Sequence, residues 1–329
     1  MYRIGFAGFK HAHIRSLYAL AQNSPDVVIA AAWESDPAVR LAARADGIIF
    51  THETYESLLA EDDIDIVAIG DYYAIRGPLA IAALQAGKHV IADKPLCVSL
   101  DELETIRQLA QDRNLKVGMM LDLRFSRIIP PLRKIFAEGK LGAVHAIFFG
   151  GQHPLNYGSR PDWYFQECKH GGTINDIAIH GIDLIAYLTG LRLRRVIAAR
   201  CWNAWATEVP AFKDCGQFMA ELDNGAGLMG DVSYASPDSF GYTLPFYWRF
   251  TMWCANGVLE FAAGNQDIKM ALNGSKTVMT LPVSDVETNN CLRSLIDEIE
   301  GRPTELDTAA VLAASQDTLA IQAAADALK

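Results

Sequence analysis

The sequence predicts an α/β protein of two domains: a doubly wound parallel sheet, then an α+β domain with a mainly antiparallel, open-faced sheet. Over about the first 120 residues, short apolar runs alternate with helical segments, which is typical of a buried parallel sheet. Beyond Arg124 the strands alternate apolar and polar residues between Asn-Gly turns, which indicates antiparallel pairing. The length of 329 residues also exceeds one ordinary domain. We therefore predict domains at 1–121 and 122–329.

The strands of the first domain are predicted from short apolar runs. The run 27–33, for example, is apolar at every position, as expected for a strand covered on both faces. The predicted strands are 2–7, 27–33, 47–50, 64–69, 89–92 and 116–120, and the predicted helices are 13–22, 38–45, 55–59, 78–85 and 100–113.

The second domain is predicted from one strong helix and several alternating strands. The expected elements are a helix at 131–138, a strand at 144–149, a loop at 150–168, a helix at 173–188, and strands such as 218–222, 227–234 and 248–253. An open-faced sheet exposes apolar side chains, so we expect a homodimer or homotetramer formed through this sheet.

Composition argues against several classes of protein. Hydrophobic residues make up 50% of the chain, and no apolar run reaches the length needed to span a membrane. The net charge of -10 disfavours binding to nucleic acid or to an anionic membrane surface. The chain starts directly with a strand rather than a secretion signal, and its six cysteines are scattered without metal-like spacing. We expect a cytoplasmic protein without nucleic-acid or membrane partners.

The segment AGKHVIADKPL, residues 86–96, places a lysine where ligands bind in doubly wound sheets. A Gly turn precedes a short apolar strand, which ends at Asp93-Lys94-Pro95. Proline steers Lys94 towards extended geometry and cannot donate to a sheet, so Lys94 is expected at the carboxyl end of the strand. Ligands of open α/β sheets bind outside those ends. Lys94 is therefore a candidate functional residue, and the alternative is a solvated lysine in a loop.

A phosphate-binding turn is expected after the first strand, at residues 8–13. Of the three glycines in a GxGxxG motif only Gly8 is present, with Lys10 and His13 at the other two positions. Lys10 and His11 would direct positive charge towards a phosphate. His11 and His13 could also be part of a metal site, but the sequence shows no third ligand, and we expect no bound metal.

An acid ends the second strand about twenty residues beyond this turn, where a ribose-binding carboxylate belongs. Glu34 would accept from a ribose 2′-hydroxyl and repel a 2′-phosphate, which favours NAD over NADP. Ser35 would tolerate a phosphate, so NADP is not excluded. The alternative is a surface acid next to a helix cap, for which Asp36 is the better candidate.

The segment GGTINDIAIHGIDLIAYL, residues 171–188, carries a polar stripe on a predicted helix. Asp176, His180, Asp183 and Tyr187 fall at i, i+4, i+7 and i+11, on one face. Histidine changes charge near neutral pH, and a carboxylate one turn away can orient it and raise its basicity. A functional site is slightly favoured over the alternative, which is a solvated helix face.

These segments resemble the signatures AGKHVxxEKP and GGGxxxDxGxHxxD of the Gfo/Idh/MocA oxidoreductase family, and residues 123–144 resemble the family's link into its second domain. The resemblance implies a Rossmann domain with NAD(P), and hydride transfer at a secondary alcohol or ketone of a sugar, cyclitol or related polyol. By position it implies Lys94, Asp176 and His180 as catalytic residues. His180 would act as general base, Lys94 would bind the reacting oxygen, and Asp176 would orient the substrate or His180. The chain departs from the family pattern in having Asp93, Arg76 and Thr173 where Glu, His and Gly are usual.

Two sets of residues are expected at the ligands. The expected cofactor-binding residues are Gly8, Phe9, Lys10, His11, Glu34, Ser35, Asp71, Arg76, Asp93 and Lys94. The expected substrate-binding residues are Arg124, Tyr157, Arg160, Trp163, Asp176 and His180. Arg124 and Arg160 could instead receive an acidic or phosphorylated substrate.

Two other functions are open at this point. One is a glycosidase of the same family type, which keeps its NAD and uses transient oxidation to eliminate a glycosidic substituent. The other is a non-catalytic relative that senses a cofactor or ligand, which the missing glycines of the turn would permit.

Overall fold

A computed structural model describes residues 1–285 and 289–328. The chain forms two compact units. The first contains Met1–Met120, Pro161–Gly171 and Asn290–Ser315, and the second contains Leu121–Arg160, Gly172–Asn289 and Gln316–Lys329. Two segments beyond residue 121 therefore group with the first unit, which differs from the contiguous ranges expected from the sequence. The limits of contiguous domains stay a prediction.

Hydrogen bonds explain why these later segments group with the first unit. The indole N–H of Trp163 donates to the Lys10 carbonyl at 3.1 Å. The backbone N–H of Val117 donates to the Thr308 hydroxyl at 2.9 Å. Arg293 pairs with Asp26 at 2.7 Å. Each bond joins residues that are more than 150 positions apart in the chain, a separation that local sequence patterns do not encode.

The first unit is built on a five-stranded parallel sheet in the order β2-β1-β3-β4-β5. Its strands are β1 (Tyr2–Ala7), β2 (Val27–Trp33), β3 (Ile66–Ile69), β4 (His89–Ala92) and β5 (Val117–Met119). The helices between them are α1 (His13–Gln22), α2 (Pro37–Ala45), α3 (Tyr55–Leu59), α4 (Tyr73–Gln85) and α5 (Leu100–Asp112). The predicted doubly wound sheet is confirmed. Asp36 caps α2 by accepting the N–H groups of Ala38 and Val39, as expected for an acid at this position.

Two predicted elements of the first unit are wrong. Within the described range 1–285, residues 47–50 form no strand. At the outer edge of β2, Ala32 donates its N–H to the Thr51 hydroxyl at 3.1 Å and accepts the Thr51 N–H at 3.0 Å, so Thr51 rather than residues 47–50 bonds this edge. Helix α4 begins at Tyr73 rather than at residue 78, and Pro78 lies inside it. The early start is stabilised by Arg76, whose Nε donates to the Asp71 carbonyl at 2.7 Å.

The second unit is built on an eight-stranded sheet in the order β13-β12-β11-β10-β6-β9-β8-β7. Only β6 and β9 pair in parallel, so the predicted mainly antiparallel sheet is confirmed. The strands are β6 (Val144–Pro154), β7 (Leu193–Trp202), β8 (Cys215–Leu222), β9 (Gly227–Ser236), β10 (Arg249–Cys254), β11 (Gly257–Ala262), β12 (Asp267–Leu272) and β13 (Met279–Pro282). Two helices precede and follow β6, namely α6 (Ile129–Ala137) and α7 (Ile179–Thr189).

The helix predicted at 173–188 is not uniform. It opens with a π-helical turn, Ile174–Ala178, and becomes regular only at α7. π-Helical turns are rare and occur frequently at functional sites. The side chains of Asp176 and His180 therefore lie on either side of a change in helical geometry, which the regular spacing of the sequence does not show.

Two helices complete the described chain, α8 (Cys291–Ile299) and α9 (Thr308–Asp326). Helix α8 packs close to the first sheet, since a Cβ added to Gly118 would lie 3.4 Å from the Leu295 Cβ. Among the described residues, no helix is both long enough and apolar enough to cross a membrane.

Candidate functional site

Lys94 lies two residues beyond the end of β4, at the carboxyl end of the first sheet. Its side chain is only 1% exposed, so the alternative of a solvated loop lysine is wrong. The Lys94-Pro95 peptide bond is cis. The carbonyl of Lys94 accepts a hydrogen bond from Arg76, which itself is buried in α4. A lysine buried in this way is positioned rather than mobile, as a group that binds a ligand requires.

Arg76 connects three parts of the carboxyl edge of the first sheet. Its guanidinium donates to the backbone carbonyls of Asp71 at 2.7 Å and Pro95 at 3.3 Å. It also donates to the carboxylate of Asp93 at 3.1 Å. The planar guanidinium can make these bonds together because its donors lie in a fixed fork. The arginine that stands where a histidine is usual in the family thus orients the residues on both sides of Lys94.

The turn after β1 needs its single glycine. Gly8 has a φ of +80°, and a Cβ added there would lie 2.6 Å from the Cβ of Asp71. The Gly8 N–H donates to the Trp33 carbonyl at 2.9 Å, and the His11 N–H donates to the Gly70 carbonyl at 3.0 Å. Because the backbone passes so close to its neighbours, Gly8 serves the tight turn of a dinucleotide-binding motif even though the later glycines are missing.

Lys10 lies over two acids at this turn. Its Nζ is 3.0 Å from both carboxylate oxygens of Asp71, 3.4 Å from Glu34 Oε1 and 3.1 Å from the Ser35 hydroxyl. Burial alone would lower the pKa of Lys10, but the Asp71 and Glu34 carboxylates outweigh it and raise that pKa. Lys10 therefore keeps its positive charge, and it stands where the GxGxxG motif has its second glycine.

Glu34 ends β2 and is fully buried, so the alternative of a surface acid is wrong. Its carboxylate accepts the backbone N–H of Phe9 at 2.6 Å and that of Asp36 at 2.8 Å. The acid therefore fixes the turn after β1 to the end of β2. The binding of a ribose hydroxyl by Glu34 stays a prediction.

Three titratable groups meet at the start of α1. His11 Nδ1 is hydrogen-bonded to Asp93, and His13 Nδ1 lies 3.3 Å from the other Asp93 oxygen. The Tyr73 hydroxyl lies 3.4 Å from His11 Nε2. Burial lowers the pKa of His11 to about 3, although Asp93 acts in the opposite direction. Burial would raise the pKa of Asp93, but His11 and Arg76 hold it well below its usual range.

Trp163, expected at the substrate, belongs to the first unit. Its indole donates to the Lys10 carbonyl, and its ring stacks on Tyr164 with centroids 4.1 Å apart. The Tyr164 and Tyr73 hydroxyls are 2.7 Å apart. An aromatic cluster therefore covers the turn after β1. The sequence does not show the contact between Tyr73 and Tyr164, because they are 91 positions apart.

In the second unit, Asp176 and His180 are both buried, so the alternative of a solvated helix face is wrong for them. The Tyr234 hydroxyl of β9 donates to the Asp176 carboxylate. The His180 ring lies 5.5 Å from the Trp248 ring, edge to face. Trp248 fits beside β6 because Gly151 has no side chain, since a Cβ there would overlap the indole. No local sequence pattern identifies Tyr234 as the partner of Asp176 or Trp248 as the neighbour of His180.

Residues distant in the sequence form hydrogen bonds with the π-helical turn that carries Asp176 and with the residue before it. The Gln322 carboxamide accepts the backbone N–H groups of Ile174 at 3.0 Å and Asn175 at 3.2 Å. A side chain on Gly172, with a φ of +100°, would overlap that carboxamide. Thr173, which replaces the third glycine of the family signature, donates its hydroxyl to the Lys213 carbonyl. The departure at Thr173 is therefore accommodated by a specific partner.

The C-terminal part of the polar stripe, Asp183 and Tyr187, is bound to arginine side chains. Arg124 makes a two-pronged ion pair with Asp183, with Nε 3.0 Å from Oδ2. The Arg124 guanidinium also lies 4.2 Å from the centre of the Tyr187 ring, whose hydroxyl accepts from Arg133 at 2.8 Å. Burial raises the pKa of Asp183, and Arg124 opposes that rise. A substrate role for Arg124 stays a prediction.

Two further predicted substrate residues lie on the segment after β6. Arg160 donates to the carbonyls of Leu155 at 2.9 Å and Pro154 at 2.6 Å, and its guanidinium lies over the Tyr234 ring. Tyr157 is 49% exposed. Arg160 therefore reaches the aromatic partner of Asp176, whereas the direct role of either residue at a substrate stays a prediction.

The fold and the turn at Gly8 define the class of protein: a Rossmann-type dinucleotide-binding domain followed by a second domain on a mixed sheet. Two family models match the chain, an oxidoreductase family with an NAD-binding Rossmann fold over residues 2–121 and the GFO/IDH/MocA C-terminal domain over residues 131–260. The chain belongs to the Gfo/Idh/MocA oxidoreductase family, and the resemblance noted in the sequence is confirmed.

Relatives and solved structures agree with this assignment. The chain is 28% identical to levoglucosan dehydrogenase of Pseudarthrobacter phenanthrenivorans over 196 residues, which cover 58% of the chain and 49% of that protein. It is 30% identical to dTDP-3,4-didehydro-2,6-dideoxy-alpha-D-glucose 3-reductase of Streptomyces violaceoruber over 193 residues, covering 58% and 56%. The matches thus span about half of these relatives. The inositol dehydrogenase homolog complexed with NAD+ from Azotobacter vinelandii shares the fold with a TM-score of 0.81 at 17% identity, covering 99% of this chain and 96% of that one.

Proposed function

We propose that this chain is an NAD-dependent dehydrogenase or reductase that transfers a hydride at a secondary alcohol or ketone of a sugar, cyclitol or related polyol. The observation that carries the proposal is the burial of Lys94 at the carboxyl end of β4 together with the buried Asp176–Tyr234 pair next to His180. Family membership supports the reaction type. The named relatives that act on sugar-like alcohols and ketones support the substrate class.

The first unit fits NAD. Gly8 keeps a close backbone turn that any Cβ would fill, and the Glu34 carboxylate bonds this turn to the end of β2. Lys10 and Ser35 lie beside that carboxylate, so a phosphate on the ribose would meet a cation as well as an acid. We infer a preference for NAD, with NADP accepted less well. The nicotinamide, when bound, supplies the hydride chemistry.

The chain's own residues supply binding and proton transfer. His180 takes the hydroxyl proton of the alcohol as general base, and returns it in the reverse direction. The Lys94 ammonium donates to the same oxygen and stabilises negative charge that develops on it. Asp176, fixed by the Tyr234 hydroxyl, orients His180 or the substrate hydroxyl. Tyr157, Arg160, Trp163 and Arg124 are proposed to contact the substrate further from the reacting carbon.

A screen of polyols, inositols and sugar acids with NAD and with NADP tests this function. We expect NADH to appear with at least one polyol or sugar, and the matching ketone as product. Release of free sugar from a glycoside without net NADH would assign the glycosidase alternative instead. No binding of either cofactor at millimolar concentration would contradict both enzymatic functions and favour a ligand sensor.

We also propose that the protein assembles as a homodimer or homotetramer through the sheet of the second unit. Exposed apolar residues of that sheet include Ile197, Met219, Met229 and Trp253. Met229→Glu, compared with the wild-type chain by sedimentation, should yield monomers, and an unchanged oligomer would contradict the role of this face. The six free thiols agree with a cytoplasmic location, which stays part of the proposal.

A further inference from the structure

The fold brings a third polar group to the two histidines at the start of α1. His11 and His13 are close in sequence, and Asp93 comes from the end of β4, 82 positions after His11. One ligand atom from each of the three side chains lies within 4.8 Å of the other two. We propose that His11, His13 and Asp93 bind a divalent transition-metal ion of the zinc class. Two imidazoles and a carboxylate are a ligand set that zinc takes in proteins.

The distance between two of the ligands suits such an ion. Two ligands at about 2.0 to 2.1 Å from a tetrahedral zinc ion lie about 3.3 Å from each other. Asp93 Oδ1 and His13 Nδ1 are 3.3 Å apart. Among the described residues, Asp93 Oδ1 receives no hydrogen bond, although the Asp93 side chain is 0% exposed. A buried carboxylate oxygen directed at an imidazole nitrogen without a hydrogen bond is what a metal site offers before the ion binds.

The neighbouring side chains orient the ligands. The Tyr73 hydroxyl lies 3.4 Å from His11 Nε2, which leaves Nδ1 facing Asp93. Arg76 donates to Asp93 Oδ2 at 3.1 Å, so that oxygen is occupied and Oδ1 is the one left for an ion. Outer partners of this kind fix ligand orientation at metal sites. The positive charge of Arg76 disfavours a second cation close to it. We therefore expect the ion to bind Asp93 through Oδ1 only.

The site has an opening for a fourth ligand. His13 is 44% exposed in its side chain, whereas His11 and Asp93 are buried. Water can therefore reach the ion from the His13 side and complete a tetrahedral set. Binding would replace the hydrogen bond between His11 and Asp93 with two metal bonds. None of the three ligands belongs to the catalytic set Lys94, Asp176 and His180, but His11 and Asp93 are among the residues expected at the cofactor. Metal binding is therefore measured on the chain without NAD, which separates its failure from a failure of the proposed reaction.

Cobalt(II) is a suitable probe, because a tetrahedral cobalt site absorbs visible light strongly and zinc displaces the signal. The full chain, stripped with a chelator, is titrated with Co²⁺ and then with Zn²⁺. We expect one ion per chain, a visible band, and its loss on adding zinc. Tyr73→Phe should bind about 10- to 100-fold more weakly, since it removes an outer partner of His11.

His13→Ala is the decisive variant, because this side chain is partly exposed and its loss leaves the buried groups in place. It should abolish the band, and Asp93→Asn should do the same. His145→Ala, which removes an exposed histidine of β6, is the matched control and should bind as the wild type does. A wild-type chain without a cobalt band, or an equal band in His13→Ala, would overturn the proposal and leave His11 and Asp93 as a hydrogen-bonded pair.

Discussion

The ion pair between Arg124 and Asp183 gives the sharpest test of how the second unit is held together. Both side chains are buried, and the guanidinium is bonded to both carboxylate oxygens. Asp183→Asn keeps the side-chain volume and one acceptor but leaves the arginine charge without its counter-ion. Breaking a buried pair in this way costs about 3 to 5 kcal/mol of unfolding free energy. Because one acceptor remains, we expect about 3 kcal/mol.

The assay is unfolding in urea and by heat, with the wild-type chain beside the variant. A loss of about 3 kcal/mol corresponds to a fall in Tm of about 6 to 12 °C for a domain of 150–250 residues. The double variant Arg124→Met with Asp183→Leu should recover most of this loss, since replacing both charges by apolar groups is often neutral. Glu221→Gln is the control, because it weakens a pair with the exposed Arg194 and Arg195 and should leave the free energy of unfolding close to that of the wild type.

Two results would refute this argument. One is an Asp183→Asn variant as stable as the wild type to within about 0.5 kcal/mol. The other is a double variant no more stable than Asp183→Asn. The same double variant also tests the expected substrate role of Arg124: an unchanged KM would restrict Arg124 to its structural role, and a raised KM with unchanged kcat would support substrate binding.

Three further predictions follow from single contacts. Tyr234→Phe removes the donor to Asp176 and should lower kcat about tenfold or more while NAD affinity stays the same; an unchanged kcat would exclude a positioning role. Gly8→Ala places a Cβ against Asp71 at a φ of +80°, so calorimetry should show NAD binding weakened about tenfold or more. Normal NAD affinity would contradict the claim that binding needs this close turn. Burial lowers the pKa of His89, whose Nδ1 accepts the Lys116 N–H. Its contribution to stability is therefore complete above about pH 6.5 and is lost as pH falls. In His89→Gln, the free energy of unfolding measured in urea should depend less on pH between about pH 7 and pH 5 than in the wild type. An unchanged pH dependence would contradict this.

The parallel sheet was predictable because its strands are locally encoded. Ile66–Ile69 is apolar and buried at every position, as is typical of a parallel strand that is covered on both faces. Val27–Trp33 is also apolar throughout, although this edge strand leaves Val28 exposed. The positions of Glu34 and Lys94 were predictable for the same reason. Glu34 directly follows β2 and Lys94 lies two residues after β4, and the ends of both strands can be found in the sequence. Residues 47–50 are apolar as well, but such a run forms a strand only if the edge of the neighbouring strand is available. Thr51 occupies the edge of β2 at Ala32.

The parts of the site that depend on distant residues were not predictable. The sequence shows that Asp176 and His180 are four positions apart, but not that Asp176 lies in a π-helical turn and His180 in the regular helix after it, or that Gln322 holds this turn. Tyr234 lies in an ordinary alternating strand, and only the fold brings its hydroxyl to Asp176. Long-range pairs of this kind leave no periodic signal in one sequence.

The central claim is that Lys94 and His180 carry the chemistry of an NAD-dependent alcohol dehydrogenase. The most direct measurement compares turnover and NAD affinity in Lys94→Met and His180→Asn, with Lys140→Met and His145→Asn as exposed controls. We predict a fall in kcat of about 100-fold or more in each of the first two variants. NAD affinity should fall much less than kcat in both variants, and the controls should match the wild type. Full turnover in Lys94→Met or His180→Asn would contradict the claim.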